Sequence, residues 1–171
     1  PSSISTIEQT GDGNMATVNQ DTGTSFEASQ SFVGQAGNSN SATISQIDDG
    51  QFSSVEQLSD NNTATVSQGN PGLVASDGSF GNFSTISQSG AGDHTATVEQ
   101  TGAFNESEIV QNGSTNEAFV QQRDQGNASS VIQNGNNNFA NVNEQGQGTT
   151  LASGQDFNTS DIIQGGDDNT A

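Results

Sequence analysis

The sequence predicts an all-β protein: a β-solenoid of about seven strand-turn-strand rungs, whose strands form two facing, parallel, in-register sheets of the cross-β kind. Three observations predict it. One residue pattern recurs seven times within the 171 residues. Each copy has two halves with a period of two, as strands require. A short segment of small residues separates the halves, as a tight turn requires.

The copy at residues 29–46 illustrates the unit. Its first half places Ser, Val and Gln on one face of an extended strand, and its second half places Asn, Ala, Ile and Gln there. The segment Ala36–Ser39 lies between them and can reverse the chain. We expect one solenoid domain over 1–171, with rungs at about 3–20, 29–46, 51–68, 82–100, 105–122, 127–144 and 158–171.

Each strand carries one β-branched residue at a fixed offset, and each second strand adds an alanine. A single rung cannot bury these side chains, but stacked rungs can enclose them as a narrow apolar seam between the sheets. The predicted seam consists of Ile7, Ala16, Val18, Val33, Ala42, Ile44, Val55, Ala64, Val66, Ile86, Ala96, Val98, Ile109, Ala118, Val120, Val131, Ala140, Val142 and Ile162.

Glutamine and asparagine also recur at fixed offsets. Each side-chain amide carries donors and acceptors, so it can bond to the equivalent residue in the rungs on either side. The predicted stacking and assembly residues are Gln9, Asn14, Gln20, Gln35, Asn40, Gln46, Gln57, Asn62, Gln68, Gln88, Gln100, Gln111, Asn116, Gln122, Gln133, Asn138, Gln164 and Asn169. Glu144 stands where the pattern expects glutamine, and His94 stands where it expects asparagine.

Equivalent β-branched residues are separated by 26, 22, 31, 23, 22 and 31 residues, so a period of 76 residues overlies the short one. The two long gaps predict loops at 69–81 and 146–157, on the same side of the stack and three rungs apart. We expect them to be surface insertions, with a lateral or binding contact as the alternative.

Composition limits the function. The formal net charge is −19, from one basic residue against twenty acids, which excludes nucleic acid and anionic membranes as partners. Hydrophobic content is 27%, so without the repeat the chain would be classed as disordered and prone to aggregate. No apolar run is long enough for membrane insertion. Because the first residue is Pro1, we expect that a secretory signal has been removed.

The sequence offers no catalytic machinery. His94 and Arg123 are the only histidine and the only basic residue, and no nucleophile has a base beside it. We therefore expect no enzyme and no cofactor, and interpret His94 as a structural replacement. We interpret the acidic, glycine-containing turns such as Gly11–Asn14 as solvated turns, with weak Ca²⁺ binding as the alternative.

The repeat frame resembles the curlin repeat of curli fibre subunits. The frame S-x5-Q-x-G-x2-N-x-A-x3-Q is matched by residues 3–20 and 29–46, and the similarity extends over all seven copies. Copies four to seven begin with Asn in place of Ser, and Glu144 and His94 are further departures. Seven copies and almost no basic residues make this a distant, acidic relative.

The resemblance implies a structural subunit of a functional amyloid: a secreted protein that polymerises with itself, head to tail, into a cell-surface fibre or pilus of the biofilm extracellular matrix. It also implies a nucleator subunit, a dedicated secretion system and a part in cell adhesion. The family's assembly-guiding positions correspond to Gln9, Asn14 and Gln20 in the first rung and to Gln164 and Asn169 in the last.

Two alternatives remain open. A column of outward threonines, Thr17, Thr43, Thr65 and Thr97, would suit a monomeric solenoid that binds ice or another surface, although Phe119 and Asn141 interrupt it. The chain would also suit a repeat segment of a large acidic adhesin. Seeded fibre growth would distinguish the first reading from both.

Overall fold

The computed structural model describes residues 2–21, 28–48, 50–69, 81–145 and 158–171. These residues form thirteen strands and no helix: β1 (Ile4–Thr10), β2 (Met15–Asp21), β3 (Gln30–Ala36), β4 (Ser41–Ile47), β5 (Phe52–Gln57), β6 (Thr63–Gly69), β7 (Phe83–Gly92), β8 (Thr95–Ala103), β9 (Glu106–Ser114), β10 (Glu117–Gln125), β11 (Asn127–Asn136), β12 (Phe139–Gln145) and β13 (Asn158–Gly165). Apart from residues 69 and 81, the predicted long loops lie outside the described residues. No described segment is a helix long and apolar enough to cross a membrane.

The strands alternate between two parallel sheets, which confirms the predicted fold class. The odd-numbered strands form sheet A, with seven strands, and the even-numbered strands form sheet B, with six. Pairing is in register, so that Val33 pairs with Val55 in sheet A and Val120 with Val142 in sheet B. The described chain therefore has six complete rungs, and a seventh in which β13 is followed only by a bridge from Thr170 to Phe139.

A narrow apolar seam lies between the sheets. Its buried residues are Val33, Ala42, Ile44, Val55, Ala64, Val66, Ile86, Ala96, Val98, Ile109, Ala118, Val120, Val131, Ala140 and Val142, with Ala16, Val18 and Ile162 partly buried against them. Ile7 occupies the equivalent position in the first rung but is 44% exposed. It stays exposed because, among the described residues, no strand pairs with the outer edge of β1.

The turns between the strands of a rung share a backbone conformation that brings rungs very close together. Each has a residue in the left-handed region, and five of these are Ser39, Asn61, Asp93, Asn137 and Asp168, with φ between 57° and 59°. Among residues other than glycine, Asn and Asp adopt this conformation most readily. A Cβ built on Gly113 would lie 1.9 Å from the carbonyl oxygen of Gly135 in the next rung. At Gly113 glycine is therefore required by the stacking itself, whereas the third turn has Ser59 at the equivalent position and no positive φ there.

The fourth turn is one residue longer than the others. The pairing of β7 with β9 shifts between Gly90 and Gly92, so Ala91 is the extra residue. Pairing is regular on both sides of the shift, and β8 keeps full register with its neighbours. The insertion therefore changes the pairing only locally, three residues before His94.

Candidate assembly site: the amide columns and the two end rungs

A column of glutamines runs along the first strands of all seven rungs. The side-chain Nε2 of each glutamine donates a hydrogen bond to Oε1 of the glutamine in the next rung. From Gln9 through Gln35, Gln57, Gln88, Gln111 and Gln133 to Gln164, the N–O distances are 2.6, 2.7, 2.9, 3.0, 2.9 and 2.8 Å. The column is continuous, and every amide in it points the same way along the stack.

The second amide proton of these glutamines makes a hydrogen bond across the core, to the backbone of sheet B. Gln35 Nε2 donates to the carbonyl oxygen of Met15 in sheet B at 3.0 Å, and Gln111 Nε2 donates to that of Thr95 at 3.0 Å. In each interior glutamine, both amide protons and the side-chain oxygen therefore take part in hydrogen bonds. Burying an amide costs little when all of its hydrogen bonds are made, so the glutamines join the two sheets as well as successive rungs.

Sheet B has a matching column that ends differently. The links from Gln20 through Gln46, Gln68 and Gln100 to Gln122 are 2.8, 3.0, 2.8 and 2.9 Å long. Gln122 then donates to Oε2 of Glu144 at 2.9 Å. Glu144 is only 7% exposed, and its Oε1 has no hydrogen-bond partner among the described residues. This carboxylate ends a column in which Gln46, Gln68, Gln100 and Gln122 each both donate and accept.

The predicted asparagines line the turns, where they bond to the backbone of the following rung. The backbone N–H of each turn residue donates to the side chain of its predecessor in the column. From Asn14 through Asn40, Asn62, His94, Asn116 and Asn138 to Asn169, the distances are 2.9, 2.9, 3.1, 3.3, 3.0 and 3.0 Å. The side-chain amide also closes its own turn, as when Asn14 Nδ2 donates to the Thr10 carbonyl at 2.9 Å.

His94 keeps the turn column intact. Its Nδ1 accepts from the backbone N–H of Asn116 at 3.3 Å, as an asparagine Oδ1 would, and its Nε2 bonds to the Ser89 carbonyl at 2.8 Å. That carbonyl is five residues back, whereas Asn116 reaches a carbonyl four residues back, at Asn112. The longer turn therefore fits the longer side chain, and the neutral ring protonated at Nε2 satisfies both bonds.

We expect acid to weaken the fold through His94. Burial lowers the pKa of His94 below 6.5, although the backbone bonds to Ser89 and Gly113 and the charge of Asp93 oppose the shift. The folded state therefore favours the neutral ring. The stability that the neutral His94 ring contributes is complete above the pKa that His94 has in the unfolded chain. It is lost as the pH falls below that pKa, because the unfolded chain then binds the proton more strongly than the folded chain does.

The check is urea unfolding of wild type and His94→Asn between about pH 7.5 and pH 5, a range that spans the titration of an ordinary histidine. The stability difference between the two proteins should shift in favour of His94→Asn as the pH falls. Comparing the two proteins removes the contribution of other titrating groups. A difference that does not vary with pH would contradict the assignment of the neutral ring.

Sequence reasoning missed a fourth column, at the corner where one rung passes to the next. It contains Ser29, Gln51, Asn82, Asn105, Asn127 and Asn158. Asn105 N–H donates to Asn82 Oδ1 and Asn127 N–H to Asn105 Oδ1, both at 3.1 Å. The leading asparagines depart from the repeat frame, but their recurrence in four successive copies is the signal of this column. Asn82, Asn105 and Asn127 are each 1% exposed and so are enclosed by their neighbours.

The acidic turns use their carboxylates on the neighbouring backbone. Asp60 Oδ1 accepts from the N–H of Asn38 at 2.7 Å, and Asp167 Oδ1 accepts from that of Asn136 at 2.8 Å. Within the described part of the chain, no group of three or more His, Asp or Glu side chains could hold a metal ion. These turns therefore continue the stacking pattern, and Ca²⁺ binding by them stays a prediction.

The outer faces carry apolar and hydroxyl columns. The rings of Phe52 and Phe83 stack on sheet A with centroids 4.7 Å apart and 5° between their planes. Val110, Ile132 and Ile163 also follow one another in register on sheet A, and Ile163 is 74% exposed. The threonine column Thr17, Thr43, Thr65 and Thr97 is in register on sheet B.

Comparison with known proteins supports the family inferred from the repeat spacing. No curated protein and no solved structure matches the chain. The family model of the curlin associated repeat matches residues 93–123, which include all of β8 and β9 and most of β10. Residues 93–123 therefore match the curlin associated repeat, which confirms the resemblance predicted from the frame.

Proposed function

We propose that this chain is a structural subunit of an extracellular, curli-like amyloid fibre, in which copies stack head to tail and continue both sheets. The observation that carries the proposal is that the sheet A glutamine column and the turn column run through all seven described rungs and stop with unused, complementary groups at the two ends. A fibre subunit requires such ends, because each copy must offer the next copy what its own rungs offer one another.

The ends complement each other in one orientation only. In the first rung, Gln9 Oε1 has no donor and Asn14 N–H no acceptor among the described residues. In the last rung, Gln164 has an amide proton left after donating to the Phe139 carbonyl, and Asn169 Oδ1 is unused. Head-to-tail stacking pairs each donor with an acceptor, whereas two first rungs would face acceptor against acceptor.

Apolar surface at the first rung adds a driving force. Ile4, Ile7 and Met15 are 59%, 44% and 57% exposed, although the residues equivalent to Ile7 in rungs two to six are nearly fully buried. Covering a side chain of this size contributes about 1.5–3 kcal/mol relative to full exposure. The net charge of −19 opposes contact between copies, so added salt should speed assembly by screening it.

The experiment that tests the proposal is fibre diffraction or cryo-electron microscopy of the purified chain in moderate salt. Filaments with a repeat of about 4.8 Å along their axis would support a continuous stack. Salt should shorten the lag before filaments form. A chain that stays monomeric and soluble under the same conditions would overturn the proposal.

We expect the double variant Gln9→Ala with Asn14→Ala to elongate seeded filaments more slowly than wild type, by about tenfold. It removes one axial side-chain bond from the junction and weakens the first turn, and each net hydrogen bond contributes about 0.5–1.5 kcal/mol. The measurement is the elongation rate on preformed seeds. Thr17→Ala with Thr43→Ala is the matched control, because it trims two outward side chains from the same end. Equal rates for the two variants would refute the role of the columns.

The same proposal assigns the cellular setting. The chain would be a secreted subunit of the biofilm matrix, exported by a dedicated secretion system, and a nucleator would start its polymerisation. It would have no nucleic acid partner and would not insert into a membrane. The curlin repeat and the acidic composition support this assignment. Within it, Gln9, Asn14, Gln20, Gln164 and Asn169 guide assembly. Weak Ca²⁺ binding by the acidic turns would assist by lowering repulsion between copies.

One alternative has a structural observation in its favour. The in-register threonine column on sheet B lies beside a second hydroxyl column, Ser41, Thr63 and Thr95. A monomeric protein that binds ice or another ordered surface would use such an array. Thermal hysteresis or ice-shaping activity in a chain that forms no filaments would favour it over the fibre.

A further inference from the structure

The outer faces of the two sheets differ in charge. Among the described strands, the outer face of sheet A carries no base, and its acids are Glu8, Glu56, Glu106, Glu108 and Asp161. The charged residues on the outer face of sheet B are Asp21, Glu99, Glu117 and Arg123, which is the only basic residue of the chain. Sheet A therefore repels a second sheet A more strongly than it repels sheet B.

Arg123 has no ion-pair partner in the described part of its own chain, although the sequence has twenty acids. Its side chain is exposed on β10, and its guanidinium bonds to no described residue. Glu106 is exposed on the opposite outer face, and its carboxylate also bonds to no described residue. Gln122 Nε2 donates to the Glu106 carbonyl at 2.8 Å across the core. Arg123 and Glu106 therefore lie back to back, at the same edge and nearly the same level of the stack.

This back-to-back arrangement has a consequence for two copies placed side by side. Strands β9 and β10 run in opposite directions, so Val110 lies behind Phe119 just as Glu106 lies behind Arg123. A copy displaced sideways without rotation would bring its sheet A onto the sheet B of its neighbour. Residues that lie back to back within one chain would then meet face to face between the two chains.

We propose that copies of this chain dock side by side, with the outer face of sheet A of one copy on the outer face of sheet B of the next. Arg123 of one copy binds Glu106 of the other, and Val110 packs against Phe119. Stacked sheets lie about 10 Å apart, which leaves room for an arginine and a glutamate to meet between them. A guanidinium can donate two parallel hydrogen bonds to one carboxylate.

The surface beside Glu106 suits a guanidinium. A hollow of about 390 Å³ lies there, and its lining includes Glu106, Glu108, Ala128, Ser130 and Asp161. Ala128 and Ser130 follow Glu106 and Glu108 in the next rung, and their short side chains leave this space open. Arginine stays charged under all ordinary conditions, so the attraction to these carboxylates does not depend on its titration.

The rest of the two faces is also compatible. The stacked rings of Phe52 and Phe83 would meet Gly69 and Thr101, which are small enough to leave room for them. At no rung of the described strands would an acid of sheet A directly oppose an acid of sheet B. Charge complementarity and the one ion pair therefore favour a second copy in this orientation.

One copy offers too little surface to hold another firmly. Six strands of about seven residues present a face of roughly 650 Å², whereas a standard interface buries about 800 Å² on each partner. In a filament the face repeats with every copy, so the contacts add and neighbouring filaments pair. This step rests on the proposed fibre, whereas the match between the two faces does not.

Charge reversal tests the ion pair. Glu106→Arg and Glu56→Arg each replace one exposed acid of sheet A and change the net charge equally. Glu106→Arg should reduce the share of paired filaments about tenfold, because it opposes a second base to Arg123. Glu56→Arg should not reduce it, because residue 56 would face Thr65 and general repulsion falls. Electron microscopy of filaments grown in moderate salt counts pairs and single filaments.

The reverse substitution completes this test. Arg123→Glu should also reduce pairing, and the combination of Glu106→Arg with Arg123→Glu should restore it. All of these side chains are exposed, and urea unfolding checks that each variant is folded. A loss of pairing that is equal in Glu106→Arg and Glu56→Arg, or a double variant that does not recover, would overturn the proposal.

Cross-linking tests which faces meet while leaving the ion pair intact. The chain has no cysteine, and Ser87 on sheet A lies back to back with Thr97 on sheet B. Chains carrying Ser87→Cys or Thr97→Cys are mixed and treated with a bifunctional thiol reagent of about 10 Å reach, the spacing of stacked sheets. The mixture should be joined into dimers. Copies stacked along the axis would be about 34 Å apart at equivalent positions, out of reach of the reagent.

Each variant alone is the control, and neither should be joined. Thr97→Cys joined to itself would mean that two B faces meet, and Ser87→Cys joined to itself that two A faces meet, and either result would overturn the proposal. Filaments that give no mixed cross-link would overturn it and leave the fibre standing. If no filaments form, the fibre proposal fails, and cross-linking of the concentrated soluble chain decides: a mixed cross-link supports side-by-side docking, and its absence overturns it.

Discussion

Gly166→Ala is expected to leave the chain folded and to stop filaments from growing at the last rung. A Cβ on Gly135, the equivalent residue one rung earlier, would lie 2.2 Å from the Gly166 carbonyl oxygen. Around Gly166 itself the nearest atom to such a Cβ is Asn169 Nδ2, at 4.0 Å. Only a further copy, stacked in register, would bring the Gly11 carbonyl into that space. The variant therefore removes the junction while leaving the subunit nearly intact.

The matched control is Gly165→Ala, because a Cβ at Gly165 meets nothing within 4 Å. Wild-type seeds should elongate normally with Gly165→Ala subunits. With Gly166→Ala subunits they should add at most one copy at either end, because every later junction contains the substituted residue 166. Imaging growth from both ends of labelled seeds checks this. Gly166 has a φ of 92°, so alanine there also carries local strain of about 1–3 kcal/mol. Circular dichroism and urea unfolding check that the fold survives. Normal growth of Gly166→Ala would show that copies do not continue the stack in register.

Gly113→Ala is expected to destroy the fold of the single chain. The added Cβ would lie 1.9 Å from the Gly135 carbonyl oxygen, and φ at Gly113 is 114°. The clash is with backbone, so relief requires separating rungs that are hydrogen-bonded in both sheets. The loss should reach at least 4–5 kcal/mol, in the exceptional range for one substitution, against about 5–15 kcal/mol for a whole domain.

Ser114→Ala is the control for that substitution. It removes one exposed hydrogen bond, from Ser114 Oγ to Asn136 Oδ1 at 2.8 Å, and leaves the backbone unchanged. The expected loss is about 0.5–1.5 kcal/mol. Urea unfolding followed by circular dichroism distinguishes the two. A Gly113→Ala chain of near wild-type stability would mean that the rungs are further apart at the turns than the structure places them.

The register of the sheets could be predicted because the repeat permits no other. Shifting β5 by one residue against β3 would move Val55 and Gln57 to the outer face together, exposing the seam and leaving a gap in the amide column. Because the frame recurs in all seven copies, the same register is favoured at every rung. The alternation within β4, where Ala42, Ile44 and Gln46 are buried, follows from the same period of two.

The hydrogen-bonding detail could not be predicted, because it depends on distances that a repeat pattern does not contain. The frame indicated that Asn40 and Asn62 occupy equivalent positions, but not that the backbone N–H of Asn62 bonds to Asn40 Oδ1. Nor could it show that Asn82, counted as a departure, closes a corner. The chemistry of Glu144 likewise emerges only when its buried oxygen is seen to lack a donor.

The directions of the four columns have an electrostatic consequence for a long fibre. In both glutamine columns the amide nitrogen points towards the last rung. In the turn and corner columns the side-chain nitrogen points towards the first rung wherever asparagines bond to each other, as from Asn138 to Asn116 and from Asn127 to Asn105. The amide dipoles of the two sets oppose one another. In an α-helix, by contrast, aligned dipoles add and leave partial charges at the ends. The asparagine dipoles therefore offset part of the axial field that the aligned glutamine dipoles build up as the stack is extended.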